Sequence, residues 1–367
     1  MKNKSLLSNL LLFLLWANSI ALNAEAAGSD VKNFERPEIS RFQESGDFVW
    51  CSAKYLVVSK HSRGPDAGIR LLNIESGQVR KFTTNTRHRV VACTPDDKHI
   101  FFVENGIRGT VNEFDIDKGK QQVIYSNNLF QHGVIEDAPI SPSGELLIGP
   151  RTLSERVTLS DRSLNGIHIP DEFSGKTVAG IAWSEDGTVF LVFNSELGDS
   201  KNNPQKLLIM KSGNLHPKVI DLPRIKDNQF RQAGWSSLAR RLYLLAWDDA
   251  KLYELDPENP TQSLRLIAKD VDEFKTMPNG ALVYLQTFGV VSSKRDDTST
   301  IHRGAHHSLL LQTAKGKSTE LARVPFISLG MSGIQVSPNG ESIAVRITKN
   351  GQPNDSAEIQ VIHVKSN

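Results

Sequence analysis

The sequence predicts an all-β fold, a β-propeller of seven four-stranded blades. Three observations carry that expectation. One hairpin motif recurs along the chain. Taken at positions 95, 142, 185, 237, 278 and 338, its copies are spaced by 47, 43, 52, 41 and 60 residues, near the period of a propeller blade. Short apolar runs with strand-like alternation fill the intervals. No stretch after residue 30 shows a convincing helical period.

Each copy has an apolar run, a small residue, a turn and a second apolar run. Phe48-Val49-Trp50-Cys51 before Tyr55-Leu56-Val57-Val58 is the first, with a shortened turn. Val90 to Asp97 precedes His99 to Phe102, and Ile140 to Gly144 precedes Leu146 to Ile148. Ile181 to Gly187 precedes Val189 to Val192, and Gly234 to Ser237 precedes Leu242 to Leu245. Thr276 to Gly280 precedes Leu282 to Leu285, and Val336 to Gly340 precedes Ile343 to Val345. Proline sets φ at the first corner, and Gly or Asn takes positive φ at the second. Third and fourth strands follow, as in Ile69 to Ile74 with Val79 to Phe82. Trp183 and Trp235 precede the turns of neighbouring copies and read as packing residues between sheets.

The last copy offers three strands. Residues 27–45, with Phe34, Ile39 and Phe42, are expected to supply the fourth and close the ring. The propeller itself is expected over residues 46–367. Closure removes the open interface between first and last blades.

Residues 1–26 read as a secretory signal peptide. Lys2 and Lys4 precede an apolar run from Leu6 to Leu22, and Ala24-Glu25-Ala26 presents small residues for cleavage. Asn9 and Asn18 interrupt the run, which is short for a membrane anchor. The expected location is periplasmic or secreted, with no membrane span after cleavage. The whole chain has 43 Lys+Arg against 41 Asp+Glu, a net charge of +2. That balance argues against a nucleic-acid-coating protein, which needs a large basic excess. Cys51 and Cys93 are the only cysteines and end the inner strands of the first two copies. An exported chain can bridge them. Equivalent points on adjacent blades can also lie beyond disulfide reach, so buried free thiols are the competing expectation.

Ser-Pro-Ser-Gly at 141–144 and Ser-Pro-Asn-Gly at 337–340, each before an apolar strand, resemble the repeats of the TolB-type, WD40-like (PD40) β-propeller family. The resemblance covers most of residues 46–364. It implies the architecture and says little of activity. TolB-type chains carry a separate N-terminal α/β domain and six blades. Here no segment is long enough for that domain and seven copies are counted, so a role in envelope integrity does not follow.

Function is expected on the face where the inner strands begin. Loops assigned to that face supply Arg63, Arg87, His88, Arg89, Arg108, His132, Arg151, Arg231, His302 and Arg303. Guanidinium groups around a channel would suit an anionic small molecule or an acidic peptide, because Arg binds carboxylate or phosphate bidentately. Residues 288–307 form the longest insertion and contain three His in six positions, 302–307. Their spacing matches no established metal motif, so a mobile polar loop is expected, with no metal and no cofactor. The chain has no Gly-x-Ser-x-Gly elbow, no His-Glu-x-x-His and no Walker loop. The reading is an exported, non-catalytic propeller that binds a protein or peptide of the cell envelope. The alternative is a propeller lyase or hydrolase, in which His88, His132 or His302 meets a carboxylate at the channel mouth.

Overall fold

A computed structural model describes residues 37–364, except 45, 61–66, 86–87, 95, 105–108, 128–139, 143, 145, 149–157, 161–166, 169–172, 174–177, 194–204, 212–216, 226–228, 248, 261–263, 293–300, 314–315, 326–328 and 350–356. Among the described residues there is no α-helix, and no helix long and apolar enough to cross a membrane.

β1 (Ile39–Phe42) comes first. The first full sheet is β2 (Asp47–Trp50), β3 (Tyr55–Lys60), β4 (Gly68–Asn73) and β5 (Val79–Lys81). The second is β6 (His88–Cys93), β7 (His99–Glu104), β8 (Gly109–Asp115) and β9 (Lys120–Asn127). The short strands β10 (Leu146–Ile148), β11 (Thr158–Ser160) and β12 (Ile167–His168) make a three-stranded sheet. Next come β13 (Val178–Trp183), β14 (Thr188–Phe193), β15 (Lys206–Lys211) and β16 (Lys218–Asp221). They are followed by β17 (Phe230–Ser236), β18 (Arg241–Ala246), β19 (Leu252–Leu255) and β20 (Arg265–Ala268). The sixth set is β21 (Val271–Thr276), β22 (Leu282–Ser292), β23 (Ile301–Gln312) and β24 (Ser318–Pro325). Finally β25 (Leu329–Val336), β26 (Ser342–Lys349) and β27 (Glu358–His363) pair in order, with β1 antiparallel to β27 from Ile39↔Ile362 to Phe42↔Ile359.

Six four-stranded sheets therefore form, where seven were expected. The remaining sheet, β10 to β12, has three strands among the described residues. Every sheet is antiparallel, and all but the last, which takes β1 as its outer strand, are meanders; the first strands of successive sheets touch: β2 with β6, β13 with β17, β17 with β21, β21 with β25, and β25 with β2. This places first strands innermost.

The period-2 alternation explains the radial stacking. A strand buried on both faces sends alternate side chains to two different neighbours. In β18, Leu242, Leu244 and Ala246 face a cluster with Phe190 and Val192, while Tyr243 and Leu245 face one with Phe274 and Leu282. In β26, Ile343, Val345 and Ile347 pack with Val283 and Leu285. The intervening Ala344 packs with Phe48, Leu56 and Val58 of the first sheet. Second strands are accordingly near-continuous apolar runs, and outermost strands such as β5 are exposed throughout. Trp235 stacks on Phe190 at 4.5 Å, and Trp183 packs against the cluster around Ile181, as their spacing predicts.

The turns follow their sequence. Gly187, Gly280 and Gly340 take positive φ, and each amide donates to the carbonyl three residues back. Where the glycine is missing, Asp97 and Arg240 take the left-handed conformation instead.

Cys51 and Cys93 are bridged, with Cα atoms 4.9 Å apart. The expectation that equivalent points on adjacent blades lie too far apart fails here. Both residues sit at the ends of inner strands, where radially arranged sheets approach most closely. Both belong to one buried cluster with Val57, Val90 and Phe102.

Candidate functional site

The innermost strands have no backbone partner on the channel side, so their polar groups must be satisfied from neighbouring sheets. Gln205, Gln232 and Glu273 are among the side chains that do this. The Gln205 amide donates to the Phe230 carbonyl at 3.1 Å and accepts from the Phe230 N–H at 2.6 Å. Gln232 does the same for Phe274, at 2.8 and 3.4 Å. Glu273 accepts the Gly333 N–H at 2.8 Å. These clamps tie the start of β17 and the middles of β21 and β25 to neighbouring sheets.

Three inner strands, β13, β17 and β21, carry a bulge at their second residue. The register of β17 shifts between Phe230 and Gln232, and that of β21 between Val271 and Glu273. A bulge re-aims the extra side chain; here it is Arg231 and Asp272. Arg231 donates to the Asp272 carbonyl at 2.7 Å and lies 5.6 Å from the ring of Trp247. Trp247 is 60% exposed, the largest aromatic so displayed among the described residues. Its position follows from its amide, which donates to the Gln229 carbonyl at 2.7 Å just before β17.

Thr287 Oγ1 donates to Asp272 Oδ2 at 2.7 Å, and His307 Nδ1 lies 3.4 Å from both that oxygen and Thr287 Oγ1. A proton on Nδ1 suits these oxygens and leaves Nε2 as the basic nitrogen. Partial burial opposes ionisation of Asp272. The hydrogen bonds from His307 and Thr287 and the charges of His307 and Arg231 outweigh it, and hold the carboxyl below its usual range. A depressed folded-state value contributes stability that is present above the unfolded carboxyl range and lost as pH falls through the folded value. Asp272→Asn should therefore flatten the acid limb of the stability–pH profile. Superimposable acid limbs for variant and wild type would contradict the assignment.

A second charged group lies across the first, second and last sheets. Asp47 leads β2 and binds Arg89 Nε at 2.8 Å; Arg346 Nη1 lies 3.8 Å from its other oxygen. Each of these side chains is about one-third exposed.

Of the residues nominated from sequence, Arg63, Arg87, Arg108, His132 and Arg151 lie outside the described residues. His88 is buried, 3.0 Å from Thr83 Oγ1 and against the Phe102 ring. Arg89 lies against the Asp47 carboxylate, and Arg231 donates to the Asp272 carbonyl. The backbones of His302 and Arg303 lie in β23 opposite Val291 and Val290. Histidine–carboxylate approaches occur at His307 with Asp272 and at His99 with Glu113, neither histidine being one of those nominated. Sequence reasoning nominated guanidinium and imidazole groups and did not nominate Asp47, Asp272, Thr287, Trp247 or Arg346. A usable signal was present: Asp47, Arg89, Arg231 and Asp272 each occur one or two residues into a first strand.

Residues 288–307 form no mobile loop over their described part. β22 and β23 pair from Leu282↔Gln312 to Ser292↔Ile301. The insertion extends a ladder already begun in the blade, so the hairpin continues as a ribbon. Phe288 stacks on His306 at its base, 5.2 Å between rings. Among the described residues no three His, Cys, Asp or Glu side chains group as metal ligands.

No protein-family model matches the chain, and no curated protein matches it. Solved structures do. Oligogalacturonate lyase from Vibrio parahaemolyticus aligns with a TM-score of 0.57 and 13% identity, covering 92% of this chain and 95% of that one. YCF48 bound to D1 peptide aligns at 0.57 and 10%, covering 91% and 97%. The β-propeller domain of Cps50 (Swd1) from Myceliophteria thermophila aligns at 0.52 and 11%, covering 89% and 100%. The fold is a β-propeller. Identities this low establish the architecture and nothing of activity.

Proposed function

We propose that this protein is an exported β-propeller that binds a protein or peptide partner at the mouth cluster of Trp247, Arg231, Asp272 and His307, without catalysing a reaction. The observation that carries the reading is Trp247, exposed and held beside Arg231 on a rigid frame. Aromatic and Arg side chains dominate protein interfaces because they bury much area for little lost freedom. YCF48, a propeller of similar fold, is described with a bound peptide. Export is supported by the character of residues 1–26 and by the Cys51–Cys93 bridge, a bond favoured in oxidising compartments. We also read the pairing of β1 with β27 as the closure of the ring, with β10–β12 as part of a seventh blade.

Trp247→Ala should weaken partner binding roughly 30-fold or more, the effect of losing a hot spot worth about 2 kcal/mol. Affinity capture from an envelope fraction, wild type against variant, measures it. Equal partner profiles would sink the reading.

The Asp272–His307 pair favours a second reading, an enzyme. An imidazole oriented by a carboxylate beside an arginine can take a proton from an anionic substrate. The likeness to oligogalacturonate lyase makes acidic oligosaccharides the substrates to try. Unsaturated product formed from oligogalacturonate by wild type, and not by His307→Gln, would replace the binding reading with this one.

A further inference from the structure

Arg231 is turned inward. Its Nη2 donates to the carbonyls of Val271 at 3.4 Å and Asp272 at 2.7 Å, and its Nε is buried. A guanidinium grips a carboxylate by two parallel N–H bonds, through Nη1 with Nη2 or through Nε with Nη2. Both pairs include the committed Nη2. Arg231 therefore props the start of β21 and the Trp247 ring, 5.6 Å from its guanidinium carbon, and offers no fork to an acidic partner.

Asp272 is turned outward, its side chain 47% exposed. Oδ2 takes the Thr287 hydroxyl and faces the His307 imidazole, and no hydrogen bond reaches Oδ1 among the described residues. Contacts on one oxygen fix the carboxylate and present the other to solvent in one place. The carboxyl lies below its usual range despite partial burial, so it is ionised at neutral pH. Other described charges nearby balance in number: Asp249 is paired with Lys251 at 2.6 Å, and Lys269 adjoins Asp270 in sequence. The fixed, solvent-facing charge that shares Arg231 with Trp247 is thus negative. An exposed indole beside a fixed carboxylate suits a side chain with an apolar stem and a cationic tip.

We propose that this site takes a lysine or arginine of a basic segment of the partner protein, its methylene stem laid on Trp247 and its charged head on Asp272 Oδ1. The proposal rests on the binding reading above and names the partner's chemistry: basic, where the sequence leads one to expect acidic. Burial of the stem against the indole supplies affinity. The charge-assisted hydrogen bond to Asp272 supplies the preference for a cation.

The test is selection of displayed random dodecapeptides on wild type and on Trp247→Ala, keeping those that only wild type holds. These peptides should share a lysine or arginine. Replacing that residue in the peptide by norleucine, which keeps a stem and lacks the charge, should weaken binding to wild type at least tenfold. Asp272→Asn should bind the basic and norleucine peptides alike, and should hold the norleucine peptide as well as wild type does. That last equality shows the variant is folded, and the norleucine change leaves the protein untouched. Trp247-dependent peptides with no basic residue, or rich in acidic ones, would overturn this proposal and leave the binding reading standing. So would a norleucine penalty as large on Asp272→Asn as on wild type. No Trp247-dependent peptide at all would overturn both.

Discussion

Replacing Cys51 and Cys93 together by alanine should cost about 4 kcal/mol of stability. The bridge closes a loop of 42 residues, and chain-entropy arithmetic for a loop of that size returns this figure. It is a large fraction of the roughly 5–15 kcal/mol by which domains are stable. For a cooperative unit of this length, at about 2.1 cal/mol/K of unfolding entropy per residue, the midpoint should fall on the order of 6 °C. Alanine is the better replacement, because both cysteines are buried and a serine hydroxyl there would add the cost of an unpaired polar group. Thermal melts of the variant and of wild type measure the shift. A midpoint unchanged within error would show that the first two sheets need no covalent tie. Hydrogen exchange adds a spatial check, since the loss should concentrate in β2 to β9.

The parts of this fold readable from sequence are those encoded locally. Ser184 to Gly187 and Ser337 to Gly340 specify their turns by short-range hydrogen bonds and positive φ. The alternation in strands such as β14 and β18 specifies two buried faces. Trp235 could be assigned to packing because its place before a turn repeats that of Trp183. What escaped depends on distances between blades. The approach of Cys51 to Cys93 follows from how closely the inner strands converge, which no spacing along the chain encodes. Asp47 lies 42 residues before Arg89, and Asp272 41 residues after Arg231; in sequence they are scattered carboxylates, and the packing of neighbouring sheets brings each beside an arginine. The β22–β23 pairing within residues 288–307, expected as a loop, escaped for a different reason. Gly289, Gly304 and the charged stretch Lys294 to Asp297 interrupt its alternation, so the ladder of β22 and β23, begun at Leu282 and Gln312, sets the pairing.

The segment after β1 is tied to the first full sheet by a buried ion pair, and breaking it from one side should be strongly destabilising. Arg70 Nη2 donates to Glu44 Oε2, and both residues are more than nine-tenths buried. Glu44 follows β1, which pairs with β27, while Arg70 lies in β4. The pair therefore links the last sheet to the first through the N-terminal segment. Glu44→Leu or Arg70→Met removes one member of this buried pair, at a cost of about 3–5 kcal/mol. The pair itself is less valuable than that cost suggests. Two ions have been desolvated, and Arg70 Nε is buried with no hydrogen-bond partner among the described residues. Glu44→Leu with Arg70→Met should accordingly recover most of the loss, since neither ion remains to be desolvated. A double-mutant cycle in urea reads this as a large coupling of opposite sign to the single effects. High salt should change the single variants little, because screening acts weakly on buried charges. Single variants as stable as wild type would show that the N-terminal segment does not hold the first and last sheets together.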